Sequence, residues 1–204
     1  MMKILMEKEA EDFLEKNKIP VAERKIVSSR EEALEFIRKI KFPVVLKITG
    51  RLHKTELKGI SVDVNHHNFD NEFERIQKIS KRVLVQKYVP GKQLIIGLIK
   101  DPSFGHVIMF GFGGIFVEVF RDISFRVCPI AKKDAREMIK EIKAYKILKG
   151  VRGETPINFN QLEEVLVKIS EFPKRYGEIK ELDINPIMAN EKEVKVVDAR
   201  IIFE

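Results

Sequence analysis

Tryptophan is absent from the 204-residue chain, and cysteine occurs once, at Cys128. A single cysteine excludes an internal disulfide framework and cannot by itself build a cysteine-rich zinc site. No apolar run approaches the roughly 20 residues that cross a bilayer, so no membrane partner is expected. The N-terminal stretch from Met1 to Phe13 turns acidic after six residues. It lacks an apolar core followed by small residues, so no secretory leader is expected. Low-complexity linkers and internal repeats are also missing. Hydrophobic residues make up 44% and charged ones 34%, enough for a packed core and against disorder of the whole chain. The composition therefore points to a soluble, cytoplasmic protein of one domain or two small ones.

Charge is present in excess of one sign, and unevenly. The formal net charge is +7; residues 1–100 carry 21 basic and 14 acidic side chains, and residues 101–204 carry 17 of each. An anionic ligand should meet the first half first. Nucleic acid and a nucleotide phosphate both suit such a surplus. Zinc-finger spacing, an aromatic RNP-type strand and a base-reading basic helix are all missing, so nucleic acid is not the expected partner.

Helical and strand patterns alternate. Met6, Ala10, Phe13 and Leu14 share a helical face that Ile19-Pro20 ends. Ser28 or Ser29 can cap a second helix with Ala33, Leu34, Ile37 and Ile40 inward. Val44 to Ile48 reads as a buried strand and Ile60 to Val64 as a half-exposed one. A third helix carries Phe69, Phe73, Ile76 and Ile79. Strands follow at Val83 to Gln86, Leu94 to Ile99, Val107 to Phe110, Ile115 to Phe120 and, more weakly, Phe125 to Cys128. Asp134-x-x-Glu137 and Asn160-x-x-Glu163 read as openings of two more helices, and the C-terminus returns to strands at Ile179 to Asn185 and Val194 to Ala199. The mixture predicts two α+β lobes, the first over about 20–86 and the second over about 87–204, with a helix at 6–17 packed alongside.

Three stretches carry chemistry. In the C-terminal hairpin, Asp183 and Asn185 stand two apart and point to one face. A turn centred between Glu191 and Lys192 makes paired residue numbers sum to 383, which sets Asn185 opposite Asp198. Opposed residues lie roughly 4.5–5.5 Å apart at Cβ, and an amide oxygen with one or two carboxylates is a hard-oxygen set suited to Mg²⁺. The plainer alternative is a polar outer face with Asn-Pro as a turn. Between the first two strands, Arg51, Lys54 and Lys58 surround His53, with Gly50 and Gly59 at the bends. Such a loop can hold phosphate through cations and backbone N–H groups, or it is an ordinary basic surface loop. Lys47 stands inside an apolar strand, where a lysine needs an anion or a carboxylate. Finally, Gly111, Gly113 and Gly114 between two strands permit close backbone approach. Glu118 beyond them is either a rim residue or a buried carboxylate facing a cation, and Arg126 alternates with Phe125 and Val127.

Taken in order, these stretches resemble the β subunits of ADP-forming acetyl-CoA synthetases, ATP-grasp proteins of the succinyl-CoA synthetase superfamily. The resemblance runs through "KNKIPV", "FPVVLKI", "LVQKYVPGKQLIIG", the long run from Asp101 to Pro129, "IKAYKILKGVRGE", "ELDINP" and "VVDARI". It implies an α+β ATP-grasp fold with a nucleotide site between two lobes, and ATP or ADP with Mg²⁺ as the bound species. By that resemblance Lys47 contacts the phosphates, Gln86, Lys87, Tyr88 and Val89 lie beside the adenine, and Gln93 sits where the ribose is held. Asn185 and Asp198 become Mg²⁺ ligands beside Asp183. His53 becomes a phosphoryl carrier, with Arg51 and Lys54 offsetting phosphoryl charge. Gly59, Gly113 and Gly114 lie along the nucleotide segments, and Arg126 and Glu118 line the site. The implied protein is a subunit that works with a CoA-binding α partner in a hetero-oligomer; the alternative is a non-catalytic subunit that senses nucleotide or stabilises that partner. Three positions depart from the family pattern: Lys58 replaces a glycine, Lys87 an acidic residue, and Gln93 the ribose-binding glutamate.

Overall fold

The computed structural model describes residues 2–50, 57–113, 122–151 and 153–204. Arg51, His53, Lys54, Gly114, Glu118 and the strand expected at Ile115 to Phe120 lie outside the described residues. The chain divides into two compact units, one of residues 22–89 and the other of residues 1–21 with 90–204.

The 22–89 unit is a four-stranded antiparallel sheet backed by two helices. Its elements are β2 (Arg24–Val27), α2 (Arg30–Ile40), β3 (Val44–Ile48), β4 (Ile60–Val64), α3 (Phe69–Ile79) and β5 (Val83–Lys87), with sheet order β2-β5-β3-β4. Ser29 caps α2, its Oγ accepting from the Glu32 N–H at 3.2 Å. One sheet face, carrying Val44, Leu46, Ile48, Val83 and Val85, packs against Ala33, Ile37, Phe69, Phe73 and Ile76 of the helices.

The other unit holds a larger sheet of order β1-β11-β9-β6-β7-β8, with β10 paired to β9. Its strands are β1 (Lys3–Met6), β6 (Lys92–Asp101), β7 (Gly105–Phe112), β8 (Ile123–Val127), β9 (Ile179–Ala189), β10 (Val194–Val196) and β11 (Ala199–Phe203). Its helices are α1 (Lys8–Lys16), α4 (Lys132–Glu141), α5 (Tyr145–Leu148), α6 (Phe159–Ser170) and α7 (Phe172–Arg175). Leu98, Ile108, Phe110, Leu182, Ile184 and Ile201 point from the sheet into one core with Ala135, Met138, Leu162, Val165 and Leu166 of the helices. No helix among the described residues is long and apolar enough to cross a membrane.

Several expectations need correction. Met6 ends a strand rather than opening the first helix, because Lys3–Met6 pairs with Arg200–Phe203. Strand β2 was not legible either. Asp134 is not a cap: α4 starts two residues earlier, and the Asp134 carboxylate accepts from the Ala131 N–H at 2.8 Å. Likewise the cap of α6 is Asn158, whose Oδ1 accepts from the Gln161 N–H at 3.1 Å. Gly113 makes the close approach expected of it, since a Cβ there would sit 3.1 Å from the Gln93 carbonyl oxygen.

Candidate functional site

In the large sheet the C-terminal hairpin has the register that its turn dictates. Val194 pairs with Ala189, Val196 with Ile187, Ala199 with Ile184 and Arg200 with Asp183. Between β10 and β11 the Asn185 N–H donates to the Asp198 carbonyl at 3.2 Å, so those two residues oppose one another. Strands β9 and β6 carry the same alternation: Gly97 pairs with Asp183 and Gln93 with Met188. Leu182 and Ile184 enter the helix-backed core, so Asp183, Asn185 and Gln93 lie on the other face, which none of the helices among the described residues covers. The structure thus brings Asp183, Asn185, Asp198 and Gln93 to one sheet face.

The electrostatics of that face suit a cation. Asp183 is half-buried, and burial pushes its carboxyl above the usual carboxylate range; Glu181 and Asp198 push the same way and Arg200 opposes them. The Arg200 guanidinium is itself ion-paired with Glu181. A divalent ion among these oxygens would relieve the repulsion between Asp183 and Asp198. Among the described residues no three His, Cys, Asp or Glu side chains form a metal cluster, and the candidate set accordingly includes an amide. Arg200 was missed from sequence, although the sum of 383 already pairs it with Asp183.

Arg126 does not join this group. It lies level with Ile108, Leu98 and Leu182 across the sheet, on the helix-backed face. There its guanidinium grips Glu141 of α4, one contact being 3.0 Å, and donates to the Phe125 carbonyl at 2.7 Å. Its neighbour Ser124 shows the same orientation, donating to the Met138 carbonyl of α4. A cleft of about 850 Å³ lies beyond Gln93, lined by Gly91, Lys92, Glu154, Ala189 and Asn190 among others, and none of the predicted site residues lines it.

In the 22–89 unit, Lys47 pairs with Leu84 and Ile60, and Gln86 with Val45 and Arg24. Lys47 is 5% exposed and Gln86 fully buried, both on the sheet face opposite the helices. They are diagonal cross-strand neighbours, about 7–8 Å apart. The Gly59 carbonyl accepts from the Ile48 N–H at 2.8 Å and closes the base of the loop that leads to His53. The Lys87 side chain lies on the helix face and pairs with Glu23 at 3.3 Å. The exchange of an acidic residue for Lys87 therefore falls away from Lys47. The N–H groups of Lys87 and Tyr88 donate to the Glu23 and Pro43 carbonyls at 2.8 and 3.3 Å, so these two donors are committed inside the unit. Val89 is buried beside them.

The exit of the histidine loop is clamped. Lys58, the residue in place of a family glycine, has φ +51°. Arg75 holds it there, donating to the Lys58 and Ile60 carbonyls and to Ser61 while gripping Glu72 at 2.8 and 3.0 Å. A non-glycine residue in the left-handed region costs about 1–2 kcal/mol, so Lys58→Gly should raise stability by about 0.5–1 kcal/mol after its extra unfolded-state entropy, read by denaturant unfolding. The Ser61 hydroxyl and Arg75 hold the Glu72 carboxyl below its ordinary 4.5. Its contribution is present above pH 4.5 and lost as pH falls through the lowered value. Glu72→Gln should therefore cost about 1 kcal/mol at pH 7 and converge with wild type in acid, measured as melting temperature against pH.

The sequence profile of the ATP-grasp domain matches residues 1–203. The ADP-forming acetate–CoA ligase I subunit beta of Pyrococcus furiosus is 43% identical over 212 residues, covering 98% of this chain and 91% of that protein. The ADP-forming acetate–CoA ligase I of Archaeoglobus fulgidus is 38% identical over 202 residues, which cover 93% of this chain but 30% of that protein. Among solved structures, the dinucleotide forming acetyl-coenzyme A synthetase 1 of Ca. Korarchaeum cryptofilum is similar, with a TM-score of 0.87 and 43% identity over 99% of this chain and 93% of that one. That structure holds coenzyme A and Mg-AMPPCP, with its phosphohistidine segment pointing towards the nucleotide binding site.

Proposed function

The chain belongs to the ATP-grasp family, among the β subunits of ADP-forming acetate–CoA ligases, and on that premise we propose that it is the nucleotide-handling subunit of such an enzyme. The reaction is acyl-CoA + ADP + phosphate ⇌ carboxylic acid + CoA + ATP. The observation that carries the reading is the register of the C-terminal hairpin, which sets the Asn185 amide and the Asp198 carboxylate opposite one another and beside Asp183.

Phosphoryl transfer asks a protein mainly for positioning and charge neutralisation. Asn185 and Asp198, with Asp183 beside them, would hold Mg²⁺. Bound there, the ion supplies positive charge to the phosphate oxygens and draws the nucleotide tail into a fixed orientation. Lys47 offers a buried ammonium to the phosphates, and Gln86 to Val89 lie along the base. His53 carries the phosphoryl group: the N–P bond of phosphohistidine breaks as a terminal oxygen of ADP forms the new O–P bond, and the imidazole returns to its neutral form.

The reading assigns the CoA-handling part of the reaction to machinery outside these 204 residues. This chain corresponds to a separate β subunit in P. furiosus and to 30% of a single-chain ligase in A. fulgidus. These relatives support a partner subunit, and the reading makes it a CoA-binding α subunit in a hetero-oligomer. Isolated protein should bind Mg-ADP and form no acyl-CoA, whereas the complex should convert acyl-CoA, ADP and phosphate to ATP. Synthesis by the isolated chain would overturn the division of labour.

Gln93 favours a second reading, a non-catalytic subunit that senses nucleotide, since an amide grips ribose hydroxyls more weakly than a carboxylate by about 1 kcal/mol. A thermal shift of the complex by Mg-ADP without any ligase activity would select it.

A further inference from the structure

The uncovered face of the large sheet continues past the candidate metal residues into a strip with little charge. Pairing registers align Ile4, Ile202, Glu181, Ile99, Val107 and Val127 in one row across six strands. The adjoining row holds Met6, Arg200, Asp183, Gly97, Met109 and Phe125. Nine large apolar side chains are exposed among the described residues, and four of them lie in these two rows: Ile4 (43%), Ile99 (47%), Phe125 (48%) and Val127 (52%). A fifth, Phe104, stands 67% exposed in the turn between β6 and β7 at the same end. Glu181 and Arg200 neutralise one another within the strip.

We infer that this strip is the docking surface for the α subunit, which seats an apolar patch of its own across β1, β9, β6 and β8. The inference rests on the functional reading above. Six strands at about 4.8 Å spacing and two rows about 7 Å apart make a patch of roughly 400 Å². That is about half of one side of an ordinary stable interface, and a patch of this size on a lone subunit is often functional. The occupant follows from two observations. First, the same domain exists as a separate chain in one relative and within a ligase about three times its length in another. The rest of the ligase must therefore meet this domain in both arrangements, whereas nothing in the sheet calls for a second copy. Second, the strip is continuous with the metal residues. Asp183 stands in its second row, and Asn185 is about 14 Å along the strand from the first. A subunit seated on the strip therefore adjoins the residues proposed to hold the metal. The scarcity of net charge argues against nucleic acid as the occupant.

The test uses the recombinant α chain, identified by co-purification with the tagged protein. Ile99→Asp and Val127→Asp should each weaken the complex about 30-fold or more, with Mg-ADP binding and melting temperature of the free subunit little changed. Lys133→Glu, on α4 behind the sheet, should leave the complex intact. Hydrogen exchange of the wild-type complex should show new protection in β1, β7 and β8. Wild-type affinity in both aspartate variants, protection confined to α4 and α6, or failure of the wild-type chains to associate would overturn the proposal. So would variants that abolish only self-association of this chain. A wild-type complex that forms but makes no ATP sinks the functional reading instead, and the affinities still decide the docking surface.

Discussion

His53→Ala abolishes phosphoryl exchange between the complex and ADP, lowering it by about 10³-fold or more, while Mg-ADP binding to the subunit changes less than threefold. The asymmetry follows from the division of roles. A neutral imidazole is a competent nucleophile near pH 7, whereas its sequence neighbours Arg51 and Lys54 are cations suited to balancing charge rather than to attack. On the proposed reading, affinity for the nucleotide comes instead from Lys47, from the segment Gln86 to Val89 and from the metal pair, all of which the substitution leaves in place. Acid-labile label from γ-labelled ATP should appear on wild-type protein and be missing from the variant. Unchanged exchange in His53→Ala would move the carrier to another residue.

Asp198→Asn produces the opposite pattern. The residue opposes Asn185 through the backbone, and its charge acts on Asp183. Replacing the carboxylate by an amide keeps the shape and removes the charge that a hard divalent cation requires. Changes one shell away from a metal cost 10–100-fold in affinity; a direct ligand should cost at least about 100-fold in Mg-nucleotide binding. Binding of ADP in EDTA should change little. The variant should also lower the acidity barrier at Asp183, since one source of like charge is gone. Calorimetric titration with and without Mg²⁺ separates the two effects, and equal losses under both conditions would remove Asp198 from the metal site.

The C-terminal hairpin was the most legible part of the molecule. One turn position fixed the sum of paired residue numbers, and every pair from Val194–Ala189 to Ile202–Glu181 obeys it. The five helices of nine or more described residues were legible from apolar spacing, although the starts of α1, α4 and α6 moved, as where Asp134 accepts from the Ala131 N–H from inside α4. Strands β1 and β2 were not legible. Each has four residues and begins with a cation, and their extended form comes from pairing with β11 and β5, which no local pattern records. Arg126 shows a further limit. Its alternation with Phe125 and Val127 was plain, but alternation alone does not say which sheet face meets helices. Only the Ser124 and Glu141 contacts settle that. Likewise the sequence did not say that the Lys87 side chain would lie on the face opposite Lys47. Lys58 carried a signal that was available: a residue standing in for glycine at a bend has to adopt glycine's backbone, and its φ of +51° shows that it does.

The central claim is that this subunit binds a nucleotide through a metal held on the uncovered face of its larger sheet. Calorimetric titration of the purified subunit with ADP, in Mg²⁺ and then in EDTA, tests it most directly. One saturable site per chain is expected in Mg²⁺, with an affinity at least about 100-fold lower in EDTA. Binding of equal strength in both, or none in either, would contradict it.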